Sequence, residues 1–396
     1  MAVRDCLVVG ERVHALEGSG PWHFACDGRH VCVERCGDGY EVMDRQGDGL
    51  LVRGERRTRH LVLVGDAVAV GRVQLLFASM VEPRTVRWQG MLATAMASLL
   101  MLGDIARAAA SRAPVYLAGE SGTGKELAAR AVHGASERRG RPFVAINCAA
   151  LPDALAESEL FGVERGAYTG ATRSRAGAFM QAQGGTLLLD EVGELTSSVL
   201  AKLLRALESG EVHPVGAPRA IRSDVRVVAA SWKDLDDEVE RGRFRHDLMH
   251  RLCVLRVDLV PLRQRREDIM PLVRDLLRRE GAAELVPDPA LTRMLTLAPW
   301  RGNVRELRNG VLRAAAARDP SAILPRDGLR RSALSQARQD ANAQAKAVLA
   351  ATLAHYRGNR KRSANALGIS RSTLYRWLEL TAAQERGAEV SNGATG

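Results

Sequence analysis

The first stretch able to do chemistry is a short run of glycine, hydroxyl and charged residues: Gly119, Glu120, Ser121, Gly122, Thr123, Gly124 and Lys125. Glycines let successive backbone N–H groups converge on an anion, and the lysine adds a point charge, which together cradle a chain of phosphates. Further on, Asp190 and Glu191 close an apolar run, where Asp190 can hold a magnesium ion and Glu191 can polarise an attacking water. Two exposed acids at a strand end are the plain alternative. It loses because cradle, following helix and apolar strand ending in Asp-Glu occur in the order that ATP with Mg2+ requires. One position departs from the general phosphate-loop pattern: Glu126 stands where a Ser or Thr hydroxyl usually meets the metal.

Such residues need a scaffold. From about Met91, Ala- and Leu-rich helical stretches alternate with short apolar strands at 114–118 and 186–189, which predicts a parallel α/β sheet. After Pro261 the strands stop, and helical periodicity over 268–279, 289–297 and 304–317 predicts an α-helical lid. Before the sheet, residues 7–77 break into β-like runs such as 40–43 and 73–77 between Gly- and Asp-rich turns, an all-β pattern. The organisation expected is an all-β domain over 1–82, an α/β domain over 88–258, a lid over 259–320, a linker over 321–342, a basic helical module over 343–380 and a disordered tail over 381–396.

At 396 residues the chain is too long for one ordinary domain, and its formal charge of +11 makes a polyanion a plausible partner. The basic module is specific about which. Residues 357–378 read as helix, turn, helix, with Gly368 permitting the turn and Ser370 capping the second helix. Ile369, Leu374 and Leu378 face the core, leaving Arg371, Ser372, Thr373, Tyr375 and Arg376 for the bases and phosphates of double-stranded DNA. The helix over 343–355 is a candidate for dimer contacts. Six cysteines without a secreted pattern, no signal-peptide run and no membrane-length apolar stretch predict a reduced, cytoplasmic protein with no membrane partner. Cys26, Cys32 and Cys36, near His23 and His30, have no paired zinc spacing and read as buried or incidental thiols.

Over most of residues 90–380 the sequence resembles the sigma-54-dependent transcription activators of the AAA+ superfamily. The run GESGTGKE from Gly119 to Glu126 is that family's phosphate loop letter for letter, which accounts for Glu126. Residues 142–150 (PFVAINCAA) and 159–162 (ELFG) match as well, and Asn147 falls where the family uses an Asn to restrain the catalytic Glu. Residues 242–252 resemble the segment donating arginine fingers, which implies that role for Arg245 and Arg251 and, because the finger comes from a neighbouring subunit, a ring, a hexamer. Residues 300–307 (WRGNVREL) resemble the lid's sensing segment, with Arg305 reaching back to phosphate; an Arg paired with Glu306 or Asp319 on a helix surface is the alternative. Trp232 stands where the family has a polar Asn or His, which implies altered nucleotide sensing.

Gly166, Ala167, Tyr168, Thr169, Gly170 and Ala171 match the hallmark GAFTGA loop, with Tyr for Phe. Small residues around one ring and one Thr make an extensible loop, and the resemblance implies that Tyr168 and Thr169 touch the sigma-54 polymerase holoenzyme. The C-terminal module resembles the Fis-type helix-turn-helix of the same activators, implying an upstream activating sequence as its target.

Residues 5–80 resemble a forkhead-associated (FHA) β-sandwich through 40–44, 47–49 and 65–71. The family's phosphate-contacting positions fall on Glu11, Asp27 and Asp48, with Arg12 one residue off, and three acids repel a phosphothreonine. The implied domain is a degenerate one that meets a protein partner. The function expected is ATP-driven conversion of the sigma-54 closed complex to the open one. The alternatives are a DNA-binding regulator with impaired ATPase, for which Trp232 speaks, and an AAA+ unfoldase, which has no use for GAYTGA or a helix-turn-helix.

Overall fold

Antiparallel pairing dominates the first ninety-odd residues of the computed structural model, which describes residues 4–9, 12–17, 20–27, 29–36, 39–45, 50–52, 55–82, 85–167 and 173–325. The chain opens with strands β1 (Arg4–Val9), β2 (Arg12–Ala15), β3 (Trp22–Cys26), β4 (Arg29–Cys36), β5 (Gly39–Asp44) and β6 (Leu50–Val52). It continues with β7 (Glu55–Arg57), β8 (Arg59–Val62), β9 (Ala67–Val70), β10 (Val73–Glu82), β11 (Thr85–Trp88) and β12 (Met91–Ala93). One sheet runs β3-β4-β5-β8; the other runs β12-β11-β10-β9-β6-β7, with β1 on the far edge of β10 and β2 beyond it. Inward residues of both sheets, among them Val33, Tyr40, Val42, Val68, Leu75 and Phe77, make a common core, the packing of a β-sandwich.

Strand β10 does two jobs. Its first half pairs β9 inside the sandwich; its second half pairs β11, so the sheet carries on through β12 to Ala93. The expected boundaries at residues 82 and 88 fall inside this sheet. The other face of β1 and β10, with Cys6, Val8, Leu76 and Ala78, joins Val86, Trp88 and Ala93 in a second core shared with helix α1 (Met96–Ala110) and with Val115, Leu117 and Val132 of the α/β layer. The sandwich and the α/β layer therefore fold around the same apolar residues, and residues 1–325 form one compact unit.

The α/β layer follows as β13 (Val115–Ala118), α2 (Lys125–Gly134), β14 (Phe143–Asn147), α3 (Asp153–Phe161), α4 (Ala178–Gln181), β15 (Thr186–Asp190) and α5 (Ser197–Ser209). A short hairpin of β16 (Glu211–Val212) and β17 (Ile221–Arg222) precedes β18 (Arg226–Ser231), α6 (Leu235–Glu240), α7 (His246–Leu252) and β19 (Leu255–Asp258). The parallel sheet has the order β14-β15-β18-β13-β19. Its central strands are covered on both faces, which is why they read as continuous apolar runs.

The lid is built from α8 (Ile269–Arg279), α9 (Pro289–Leu297) and α10 (Asn303–Ala317), where the periodicity placed helices. Asp288 caps α9 by accepting from Leu291 N at 2.7 Å, and Pro289 occupies the first turn, where no N–H is needed. The lid runs past residue 320: a 3₁₀ turn over Pro320–Ile323 buries Ile323 against α10, and Arg313 donates to Leu324 O at 3.0 Å. Among the described residues no helix is long and apolar enough to cross a membrane. The helix-turn-helix and its Arg371, Ser372, Thr373, Tyr375 and Arg376, the GAYTGA residues Tyr168, Thr169, Gly170 and Ala171, and Glu11 and Asp48 lie outside the described residues. Asp27 is described: it sits in the β3–β4 turn at φ 50° and accepts from Arg72 N at 3.0 Å, tying two turns together.

Candidate nucleotide site and loop stem

The C-terminal ends of β13, β15 and β18 lie side by side, because Ala118 is in register with Ser231 and Asp190 with Ala230. From β13 the chain turns through the glycine run into α2, with Gly119 N donating to Ser231 O at 3.3 Å and Thr123 Oγ1 to Glu120 O at 2.8 Å. Gly122 and Gly124 take φ of 78° and 108°, values that cost a side chain strain. Lys125, almost fully buried at the first turn of α2, donates from Nζ to Gly119 O at 3.0 Å and pairs with Glu191 Oε1 at 3.2 Å.

Asp190 ends β15. Its Oδ1 is buried and has no hydrogen-bond partner among the described residues. Burial first, then the neighbouring Glu191 charge, raises its pKa, with Lys125 opposing. An orphaned, desolvated carboxylate oxygen beside a phosphate cradle fits a magnesium ion, since a hard divalent cation supplies the charge that burial withholds. Glu191 follows in a left-handed conformation, φ 56°, and its Oε2 accepts from Trp232 N at 3.1 Å. Trp232 is 55% exposed, so the backbone of this position, not its side chain, holds the glutamate. Asn147 is in register with Asp190, but its Oδ1 caps Ala149 N at 3.0 Å and no hydrogen bond joins it to Glu191 among the described residues.

The lid closes the site. Arg305, in the first turn of α10, donates to Ser121 Oγ at 2.7 Å, while Glu306 turns back to Gly302 N and Asp319 caps Ser321 N. Arg263 donates from Nη1 and Nη2 to both oxygens of Glu120, at 2.7 and 2.5 Å. Those hydrogen bonds, helped by Asn303, bring the Glu120 pKa down to about 2 against the cost of desolvation. Asn303 is wholly buried and spends every polar atom: Oδ1 accepts from Leu262 N, and Nδ2 donates to Glu120 and Ser121 O. Arg265, also buried, donates to Thr123 O at 3.0 Å. Sequence reasoning missed Arg263, Arg265 and Asn303; the signal was Glu120 itself, an acid in an anion cradle that needs a cation held against it.

Gly122, Gly124, Lys125, Glu126, Leu127, Arg130, Asp190, Glu191, Val304, Arg305 and Arg308 line a cleft of about 440 Å³. Glu126 faces it and ion-pairs with Arg130 one turn on. A Cβ at Gly122 would lie 2.3 Å from Gly302 O and 3.0 Å from Arg305 Cβ. Gly122→Ala is therefore expected to push the start of α10 away and weaken ADP binding roughly ten-fold or more, the equivalent of about 1.4 kcal/mol. A fluorescent-ADP titration checks this, and unchanged affinity would refute the close lid contact.

Arg245 and Arg251 do not line this cleft. Arg245 is held by both oxygens of Asp247, at 3.0 and 2.7 Å, and Arg251 stands 3.8 Å from Glu208; both are exposed, Arg245 just ahead of α7 and Arg251 on it, and the helix is anchored by buried Leu248 and Leu252. Elsewhere, Val163 bridges to Arg175, and Glu164 accepts from Ser174 Oγ at 2.5 Å, closing the stem of the loop that carries Gly166 and Ala167. Glu159 pairs with Arg175, and Phe161 stacks on Phe179 with centroids 5.7 Å apart, so the stem stands on a rigid base.

Family models match along the chain: the sigma-54 interaction domain over residues 91–258, the AAA+ ATPase lid domain over 263–346 and the Fis family of bacterial regulatory proteins over 346–379. The chain is 43% identical over 299 residues to the transcriptional regulatory protein ZraR of Klebsiella oxytoca, covering 72% of this chain and 67% of that one. It is 50% identical over 229 residues to the Nif-specific regulatory protein of Azotobacter vinelandii, 57% of this chain and 42% of the relative. NtrX of Brucella abortus, solved in complex with ADP, superposes with a TM-score of 0.55 at 32% identity, over 74% of this chain and 69% of that one. Cleft, lid and these likenesses agree: the chain belongs to the sigma-54-dependent transcription activators, and it is an AAA+ ATPase that uses ATP with Mg2+.

Proposed function

We propose that the protein binds upstream DNA, assembles as a hexameric ring and spends ATP hydrolysis on remodelling the sigma-54 polymerase closed complex into the open one. The observation that carries this is the convergence in one cleft of Lys125, the unpartnered Oδ1 of Asp190, Glu191 and Arg305. ATP bound with magnesium supplies the transferable phosphoryl group and the divalent charge. Asp190 holds the metal. Lys125 gives up Glu191 for phosphate oxygens, and the freed Glu191 takes the proton of the attacking water. Asn147 restrains Glu191 in one stage of the cycle, leaving its Ala149 contact to do so. Arg305 senses phosphate from the lid, and Arg245 and Arg251 reach the site of the neighbouring subunit. Motion of the layer passes through the Val163–Arg175 stem to Tyr168 and Thr169, which press on sigma-54.

At the C-terminal end, Arg371, Ser372, Thr373, Tyr375 and Arg376 read the upstream site, in a cytoplasmic protein. The N-terminal sandwich is FHA-like in fold, with a protein partner in place of a phosphothreonine, because Asp27 stands at a phosphate-contacting position and is committed to Arg72 N.

The test is open-complex formation on a sigma-54-dependent promoter at high protein concentration, with ATP against a non-hydrolysable analogue and Lys125→Ala as control. Tyr168→Ala is expected to keep ATP turnover within about two-fold while losing promoter opening, because the ring contributes to contact and not to the cleft. Opening retained by Tyr168→Ala sinks the loop assignment. Absence of hydrolysis in the parent chain favours a DNA-binding regulator with impaired ATPase, for which exposed Trp232 speaks.

A further inference from the structure

The segment this chain shares with the sigma-54 interaction domain begins at Met91. Residues ahead of it touch the motor at places that the shared segment does not account for. The β11–β12 hairpin turns at Gln89 and Gly90, both at positive φ, and its tip packs on α2, the helix that begins with the phosphate-site lysine. Gln89 donates to Gly65 O at 2.8 Å, and its Oε1 lies against α2 so closely that a Cβ on Gly134 would approach it to 2.5 Å. Leu127, which lines the cleft, sits over Gly90 so that a Cβ built there would lie 3.6 Å from its Cδ1. Asp66, in the β8–β9 turn, pairs with Arg139 at 2.8 Å, and its carbonyl faces Trp88 Nε1 at 3.4 Å.

On the other side of the hairpin, Arg87 of β11 ion-pairs with Asp275 of lid helix α8. Asp275 is buried, and Arg279 on the next turn also grips it at 2.8 Å. Helix α8 packs against α10, which carries Arg305 to Ser121 of the phosphate loop. The route from sandwich to phosphate is thus short and physical: Arg87, Asp275, α8, α10, Arg305.

We propose that Arg87 is a positioning residue for ATP hydrolysis: through Asp275 it ties the lid to the N-terminal sandwich and so sets Arg305 over the phosphate loop. The sandwich is then part of the motor's moving mechanism, and whatever binds it adjusts the lid through this contact. The proposal rests on Arg305 acting at phosphate. Removing Arg87 leaves Asp275 paired with Arg279, so the substitution breaks the linkage without stranding a buried charge, which would itself unfold the lid.

The experiment uses the full chain and reads fluorescent-ADP affinity and the KM and kcat for ATP, none of which needs polymerase or promoter. Arg87→Ala is expected to raise KM and the ADP dissociation constant roughly five-fold, the size of a partly buried pair, with a smaller change in kcat and an unchanged melting temperature without nucleotide. Arg87→Lys should restore most of the affinity. Arg87→Ala combined with Asp275→Asn should be no weaker than Asp275→Asn alone, the mark of two residues on one path. Parent-like KM and ADP affinity in Arg87→Ala, additive losses in the double variant, or a lowered melting temperature with no KM change each overturn the proposal. Arg305→Ala is run alongside. If it leaves ADP affinity intact, the reading of Arg305 fails and the proposal with it; if it weakens binding while Arg87→Ala does not, only the linkage fails.

Discussion

Arg251→Ala is expected to lower ATP turnover by roughly 10³-fold or more while leaving nucleotide affinity and folding intact. The folding half follows from exposure. Arg251 stands 3.8 Å from exposed Glu208, and a solvent-exposed pair contributes about 0–1 kcal/mol, too little to matter to a chain anchored at α7 by buried Leu248 and Leu252. The catalytic half follows from location. The cleft of this chain is lined by Lys125, Asp190, Glu191, Arg305 and their neighbours, with neither Arg251 nor Arg245 among them. A guanidinium that acts without reaching its own cleft acts on another subunit's. Arg245 differs in being clamped by Asp247, which it must leave before it can serve. Mixing Lys125→Ala and Arg251→Ala proteins separates the readings. A ring with shared sites regains turnover where an intact cleft meets an intact finger, whereas a finger acting within its own chain gives no recovery. Parent-like turnover by Arg251→Ala would remove it from the mechanism.

The site was legible in the sequence where backbone geometry dictates residue type. Gly122 and Gly124 need positive φ, and Lys125 must follow them onto a helix, so the local run announced the cradle by itself. Lid helices were legible because each buries one apolar face. What stayed hidden was pairing between distant residues: Arg263 and Glu120 are 143 positions apart, and no local pattern tells a cradle acid which arginine will hold it. The strands over Thr85–Trp88 and Met91–Ala93 were hidden for another reason. They have four and three residues, too few for alternation to register, and they turn at Gln89-Gly90, not at the Asn-Gly pair that usually marks a tight hairpin. Missing them placed a domain boundary inside a sheet. The Asn147 resemblance was legible as sequence, yet the side chain caps Ala149 here, since a short polar group beside a 3₁₀ turn takes the nearest free N–H.

That sheet leads to the second large effect: a fragment beginning at residue 83 is expected to be insoluble or molten, not a free-standing motor. Removing residues 1–82 strips Cys6, Val8, Leu76 and Ala78 from a core whose other side is Trp88, Val86, Leu99, Leu102 and Ile105. Each large apolar side chain returned to water costs about 1.5–3 kcal/mol. Four or five of them reach the 5–15 kcal/mol that a whole domain has to spare. The cut also leaves β11 without its partner over Ser79–Glu82, a bare strand edge open to pairing with other chains. A mobile regulatory domain on a linker would give the opposite result, because its removal uncovers only solvated surface. Soluble yield and the thermal transition of residues 83–396 beside the full chain decide between them. A fragment that melts cooperatively at the parent temperature and hydrolyses ATP would show that α1 needs no cover from β1 and β10, and the shared core would then be an incidental contact between separable domains.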